Sequence, residues 1–259
     1  MTPRIHPVAR YEHAREAIDW LARAFGFEAR AIFDGPGDTV AHAELTFGAG
    51  TIGISSAGPV DPANVWTTVR EGLYVSLADP DTHHARARAA GATIERGLQD
   101  MEYGSRDYTA RDVGRHLWCF GTYAMGHEPD GPVFTPELRY ADGRVAVDFL
   151  VRAFGLEAGL EIAGPDADVH HAELWLGDSA LMVAAGPDPD GLWCGRRQCT
   201  HVRLADPDAH FARARAAGAT IVRPPHDTPY GARGYLAQDV EGLLWGFSTY
   251  RPQRPAGSR

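Results

Sequence analysis

A histidine stands two residues before a glutamate twice in this sequence, in His42-Ala43-Glu44 and in His171-Ala172-Glu173, each time inside a run that alternates as a strand does. Residues two apart on a strand share a face. Each imidazole is therefore expected beside its carboxylate, a pairing open to three kinds of chemistry. A carboxylate in a half-apolar setting can act as a general base, with Glu44, Glu173, His42 and His171 as the catalytic candidates. Imidazole and carboxylate on one face could instead be ligands of a divalent cation. The third possibility is structural, because a buried carboxylate needs a hydrogen-bond donor. The residues alone leave all three open.

Other candidates are binders. Arg10 and Arg139 share strand faces with His6 and Thr135, where a guanidinium could clamp an anion or pair with Glu44 or Glu173. Trp66 and Trp193 fall in stretches containing Pro and Gly, and Tyr103 and Tyr230 each precede a glycine. Aromatic rings at such places either stack on a planar ligand or cover a sheet edge. Cys119 reads as a small core residue, or as a thiolate ligand or nucleophile. Trp118, Phe120, Trp245 and Phe247 alternate along two matching runs and are expected in the core.

The elements that position these residues come from a repeat. ARARAAGATI at 85–94 recurs unchanged at 212–221, and LADPD at 77–81 recurs at 204–208. Ala24-Phe25-Gly26 matches Ala153-Phe154-Gly155, the two His-Ala-Glu-Leu segments match, and Trp118 with Thr122-Tyr123 matches Trp245 with Thr249-Tyr250. Two homologous halves follow, expected as domains 1–126 and 133–252 joined near MGHEPDGP. In the first half, a strand at 5–11 precedes a helical pattern at 13–25 closed by Gly26, then extended runs at 29–33, 39–47 and 51–55. The order repeats with a strand at 73–77, a helix between the Asp79-Pro80 start and Gly91, and runs near 92–95, 106–110 and 116–122. The fold class is α+β, with four βαβββ units, two per half.

This organisation, with AFG closing the first helix and HAEL on the third strand, resembles the vicinal oxygen chelate superfamily. YGSRDYTARDVGRHLWCFGTY and YGARGYLAQDVEGLLWGFSTY resemble the end signature of its glyoxalase/bleomycin-resistance group. The resemblance implies open curved sheets forming cups with helices outside, and rim positions for Trp66 and Trp193. It also implies four metal-ligand positions per half, which map to His6, Glu44, Leu73 and Cys119, and to Thr135, Glu173, Thr200 and Gly246. Few of these can hold a metal, and neither half has the last-strand glutamate, although His42, on the face of Glu44, could join His6 of IHPVARY and Glu44 in a facial triad around one divalent ion. His201 is one residue out of phase with Thr200, so it is expected on the opposite face from the ligand position.

Composition narrows the function. The 259 residues carry 25 Arg and no Lys against 34 Asp plus Glu, a formal charge of -9, which disfavours nucleic acid and anionic membranes and would suit a cationic ligand. The arginines of ARARAAGATI read as a solvated helix face. Three cysteines are too few for a disulfide framework, and no leader or long apolar run is seen, so a cytoplasmic protein is expected, monomeric or homodimeric. The leading expectation is a cofactor-free protein that holds a small, partly aromatic molecule of antibiotic or natural-product type in a cup. The alternative is a lyase, isomerase or dioxygenase-type enzyme using one divalent metal ion or a carboxylate base in one cup.

Overall fold

A computed structural model describes residues 3–61, 65–111, 115–123, 133–164, 168–187, 198–229 and 231–252. The first half runs β1 (Arg4–Tyr11), α1 (Ala14–Phe25), β2 (Glu28–Asp34), β3 (Val40–Phe47), β4 (Gly50–Ser56), β5 (Glu71–Ser76), α2 (Pro80–Ala89), β6 (Thr93–Asp100), β7 (Arg106–Arg111) and β8 (Leu117–Gly121). The second half repeats the order as β9 (Phe134–Arg139), α3 (Gly143–Phe154), β10 (Glu157–Ala163), β11 (Val169–Leu176), β12 (Ser179–Ala184), β13 (Gln198–Arg203), α4 (Pro207–Ala216), β14 (Thr220–Asp227), β15 (Arg233–Gln238) and β16 (Leu244–Ser248).

The helix boundaries follow from the residues read as caps. Gly26 ends α1 in the left-handed region at φ 75, which glycine adopts without penalty, and its N–H reaches the Leu21 carbonyl. Asp79 accepts from the Thr82 N–H ahead of Pro80 at the start of α2, and Asp206 does the same for Ala209 ahead of Pro207.

Each half closes one eight-stranded sheet of its own. The first has the order β2-β3-β4-β1-β5-β8-β7-β6 and the second β10-β11-β12-β9-β13-β16-β15-β14. The two units of a half meet where β1 runs antiparallel to β5, and β9 to β13. Which units pair, left open by the sequence, is thus decided within each half.

The core, by contrast, is shared between halves. Leu21 and Phe25 of α1 pack with Val202, Ala214, Tyr235, Trp245 and Phe247 of the second half. Val147, Leu150 and Phe154 of α3 pack with Leu73, Trp118 and Phe120 of the first. The alternating aromatics of β8 and β16 are core, as the pattern required. Helix ends cross over as well, because Arg213 of α4 donates to the Arg23 and Ala22 carbonyls, both at 2.8 Å, at the end of α1. The arginines of both repeats are exposed, as read, and Arg213 has this bonding role in addition. The guanidinium satisfies carbonyls that a helix end leaves without partners.

Candidate functional site

Strand alternation sets the two cups. On β9, Phe134 and Leu138 go to the cores, which leaves Thr135, Glu137 and Arg139 on the opposite, cup face. On β13, Val202 goes to the core, and Cys199, His201 and Arg203 line the cup. The expectation for His201 is therefore corrected. It does lie on the opposite face from Thr200, but the cup is on the side of His201. The same phase holds in the first half, where Leu73 and Val75 are core and Tyr74 faces the cup.

At the floor of the second cup, Glu137 Oε2 lies 2.8 Å from His201 Nε2. Donor atoms of Glu137, Cys199 and His201 all lie within 4.8 Å of one another, a grouping of at least three metal-ligating side chains that occurs once among the described residues. Cys199 and Glu137 are direct cross-strand partners. His171 Nδ1 is 3.8 Å from Glu137, and its Nε2 is 3.9 Å from the fully buried Glu173, which accepts a hydrogen bond from the Tyr250 hydroxyl. Gly246 stands opposite His201, and a Cβ there would collide with the imidazole. Burial opposes charge on Glu137, yet His201, His171 and Arg139 hold its carboxyl below the usual value. Burial likewise opposes charge on His201, but Cys199 and Glu137 hold it well above the ordinary imidazole value. Burial pushes the Cys199 thiol up.

Above this floor is a cavity of about 570 Å³. Leu160, Ile162, Met182, Leu236 and Leu244 give it an apolar wall, and Arg139, Arg203 and Arg223 add guanidinium groups. Arg139 also donates to the Gly186 carbonyl.

The first cup is built differently. Val8, Gly72 and Tyr74 stand at the strand positions of Glu137, Cys199 and His201. Glu44 accepts from the Tyr123 hydroxyl at 2.7 Å, with Arg30 at 3.3 Å and His42 at 3.9 Å. The cation beside Glu44 is Arg30 rather than Arg10, whose guanidinium donates to the Ser56 carbonyl. Asp107 accepts from Tyr103 and Ser105, with Arg96 and Cys119 each at 3.9 Å. Tyr123 meets both Tyr74 and Tyr103 edge to face, so three phenol rings gather over this polar cluster.

His6 does not join His42 and Glu44, since the donors of these three do not converge within 4.8 Å. It is buried, its Nδ1–H points to the Thr51 carbonyl at 3.4 Å, and its Nε2 has no partner. The residue lies level with Thr51, two residues along the strand from the row of Val8, Gly53 and Glu44. Trp66 lies in a short 3-10 turn, Val65–Thr68, with its side chain outside the described residues, where Trp193 and Tyr230 also fall.

The metal that the resemblance implies can be tested against these positions. Thr135, Thr200 and Gly246 offer no set with Glu173, because Gly246 has no side chain and Thr200 faces away from the cup. Glu137, Cys199 and His201 do offer a convergent oxygen, sulfur and nitrogen set in the same cup. The sequence signal for them was polar residues at alternate positions of β9 and β13.

Comparison with known proteins follows the same lines. In sequence, the chain is 32% identical over 146 residues to an uncharacterized protein of Mycobacterium tuberculosis, covering 51% of this chain and 82% of that one. A Mycobacterium bovis protein, also uncharacterized, is 32% identical over 126 residues, 44% of this chain and 80% of its own. Solved structures similar in fold include the 2,3-dioxygenase LapB of Pseudomonas sp. KL28, with a TM-score of 0.68 and 12% identity over 97% of this chain and 93% of that one. A mutant 4-hydroxymandelate synthase of Streptomyces coelicolor scores 0.66 at 13% identity, covering 100% and 94%. A Mn(II)-bound glyoxalase of Novosphingobium aromaticivorans scores 0.63 at 12%, covering 95% and 80%. A family model matches residues 4–120 and again 134–247, so the chain, with its two tandem α+β domains, belongs to the Glyoxalase/Bleomycin resistance protein/Dioxygenase superfamily.

Proposed function

We propose that this chain binds a small, partly aromatic molecule of natural-product type, and that the cup of the second half is where it does so. The observation that carries this reading is the cavity of about 570 Å³ over the Glu137–His201 pair, a size and a mostly apolar wall that suit a drug-sized ligand.

The lining supports a reading of the ligand's charge as well. Among the described residues that line the cavity, Arg139, Arg203 and Arg223 stand with Glu137, and Glu173 lies behind His171. Nearby groups dominate the field inside a low-dielectric cup, whatever the net charge of -9 outside. An aromatic or alicyclic carboxylate therefore fits better than the cation suggested by composition.

Thermal shift and calorimetry on the full chain test this, with one panel of aromatic carboxylates and one of aromatic cations. Stabilisation by carboxylates, about 2.7 kcal/mol at 100 times Kd, is the expected result. Leu236→Trp, which fills the cup, should remove it. A chain stabilised by no compound of either panel would sink the reading.

The convergent Glu137, Cys199 and His201 favour a second reading, an enzyme of the lyase, isomerase or dioxygenase type that uses one divalent ion or a carboxylate base in the same cup. A bound ion would supply Lewis acidity toward a substrate oxygen, while the arginines hold the substrate's anionic end. Turnover abolished in Glu137→Gln with ligand binding retained would support it, and unchanged turnover would refute it.

A further inference from the structure

We infer that the floor of the second cup is a thiolate-containing divalent metal site, formed by Glu137, Cys199 and His201 and suited to zinc-like ions rather than to manganese or magnesium. The inference goes beyond ligand binding, since a cup can hold an organic ligand with or without an ion, and the two tests fail separately.

Position is the first support. Glu137 and Cys199 face each other across β9 and β13, and His201 is two residues along on the same face. Three donors on two hydrogen-bonded strands are held more firmly than donors on loops. Their donor atoms already lie within 4.8 Å of one another.

Space is the second. The His201 ring occupies the volume that any side chain at 246 would need, so Gly246 keeps the imidazole on the floor. The trio also lines the cavity, which leaves a side of the cluster open to an exogenous ligand, as a site that does more than hold the fold requires.

Charge is the third. A carboxylate, a thiolate and a neutral imidazole together carry two negative charges, which a divalent ion cancels. With the ion in place of the thiol and imidazole protons the cluster is as neutral as the His201–Glu137 pair, so binding leaves no unpaired charge in a site where Cys199 is 2% exposed.

The competing explanation is a structural ion pair between His201 and Glu137, with the Cys199 thiol bonded to the imidazole and packed on Ala184, Leu236 and Leu244. The fold does not need that arrangement, because Val8, Gly72 and Tyr74 hold the same positions in the first sheet. Nor is the trio the ligand set that the resemblance maps onto this half, of which Thr135, Thr200 and Gly246 supply no good donor. A sulfur ligand shifts preference toward zinc and cobalt and away from the oxygen-seeking ions.

Cobalt(II) titration of the chelator-treated full chain, followed optically, reads the sulfur directly. Near-ultraviolet thiolate-to-cobalt charge transfer saturating at one ion per chain is expected, and zinc should displace it while excess manganese does not. The band should vanish in Cys199→Ser and persist in Cys119→Ser and Cys194→Ser. His201→Gln and Glu137→Gln should weaken binding by at least the roughly 10- to 100-fold that losing a supporting contact costs. Circular dichroism of each variant separates loss of the site from loss of the fold. Absence of the band at saturating cobalt, its survival in Cys199→Ser, or ready displacement by manganese would each overturn the assignment.

Discussion

His210 of α4 ties the second half to the end of α1 in the first. Its Nε2–H donates to the Phe25 carbonyl at 2.9 Å, while its Nδ1 accepts from Tyr235 at 2.6 Å. His83 of α2 makes the reciprocal link, to the Phe154 carbonyl at 3.0 Å and the Tyr108 hydroxyl at 2.5 Å. Each first helix is thus closed by the second helix of the other half, next to a core that both halves share.

Removing either link should therefore be felt by the whole molecule. His210→Ala leaves a buried carbonyl and a phenol without their partner, so a loss of about 1–3 kcal/mol is expected in urea unfolding. His83→Ala should cost a similar amount, and the double variant should be close to additive, because the two links lie in separate clusters. All three should unfold in one transition. Two resolved transitions would show that the halves fold independently.

Gly246 makes a sharper prediction about the site. Gly246→Ala drives a methyl into the His201 ring, and neither strand backbone can retreat far within a central position of the sheet. Overpacking of this kind costs about 1–3 kcal/mol. The expected outcome is a folded, less stable chain with weakened ligand-dependent stabilisation. An unchanged melting temperature together with unchanged ligand response would show that His201 has another place to go.

Element order was legible from the sequence because the repeat reads each element twice, and glycines with positive φ such as Gly26 and Gly155 mark the same helix ends in both halves. The working floor was not, for a reason of phase. Aligning motifs through the loops put the ligand position of β13 at Thr200, whereas apolar Leu73 and Val75 in the matching strand already show which parity faces the helices. Counting alternation from these residues would have turned His201 and Cys199 toward the cup. Glu137 was hidden differently, since its counterpart is Val8, and comparing the halves favours what they share over what only one of them has.

His6 predicts an acid-sensitive fold. Burial, together with nearby Arg4, lowers its pKa from 6.5 to about 4 despite the bond to the Thr51 carbonyl. Between those values the unfolded chain takes up a proton that the folded chain refuses, so stability falls as pH drops from 6.5 toward 4. At about 1.4 kcal/mol per pH unit the loss from this group reaches about 3 kcal/mol. His83, His210 and His42, also lowered chiefly by burial, add to the same slope. Urea unfolding of His6→Asn across this range should show a shallower, but not flat, pH dependence. An identical slope would mean that His6 titrates normally in the fold.

The two glutamates first singled out in the sequence are each held by a tyrosine from the end of their own half, Glu44 by Tyr123 and Glu173 by Tyr250. Tyr123→Phe and Tyr250→Phe each remove a donor from a buried carboxylate, and each should cost about 1–3 kcal/mol. Glu44 has a second support in Arg30, 3.3 Å from its other oxygen. Arg30→Gln alone should cost little, because that side chain is more than half exposed and surface ion pairs contribute about 0–1 kcal/mol. In the Tyr123→Phe background the guanidinium becomes a larger share of what holds the carboxylate, so the same change should cost more. A double-mutant cycle measures the difference, and effects that simply add, within about 0.3–0.5 kcal/mol, would show that the two groups stabilise Glu44 independently.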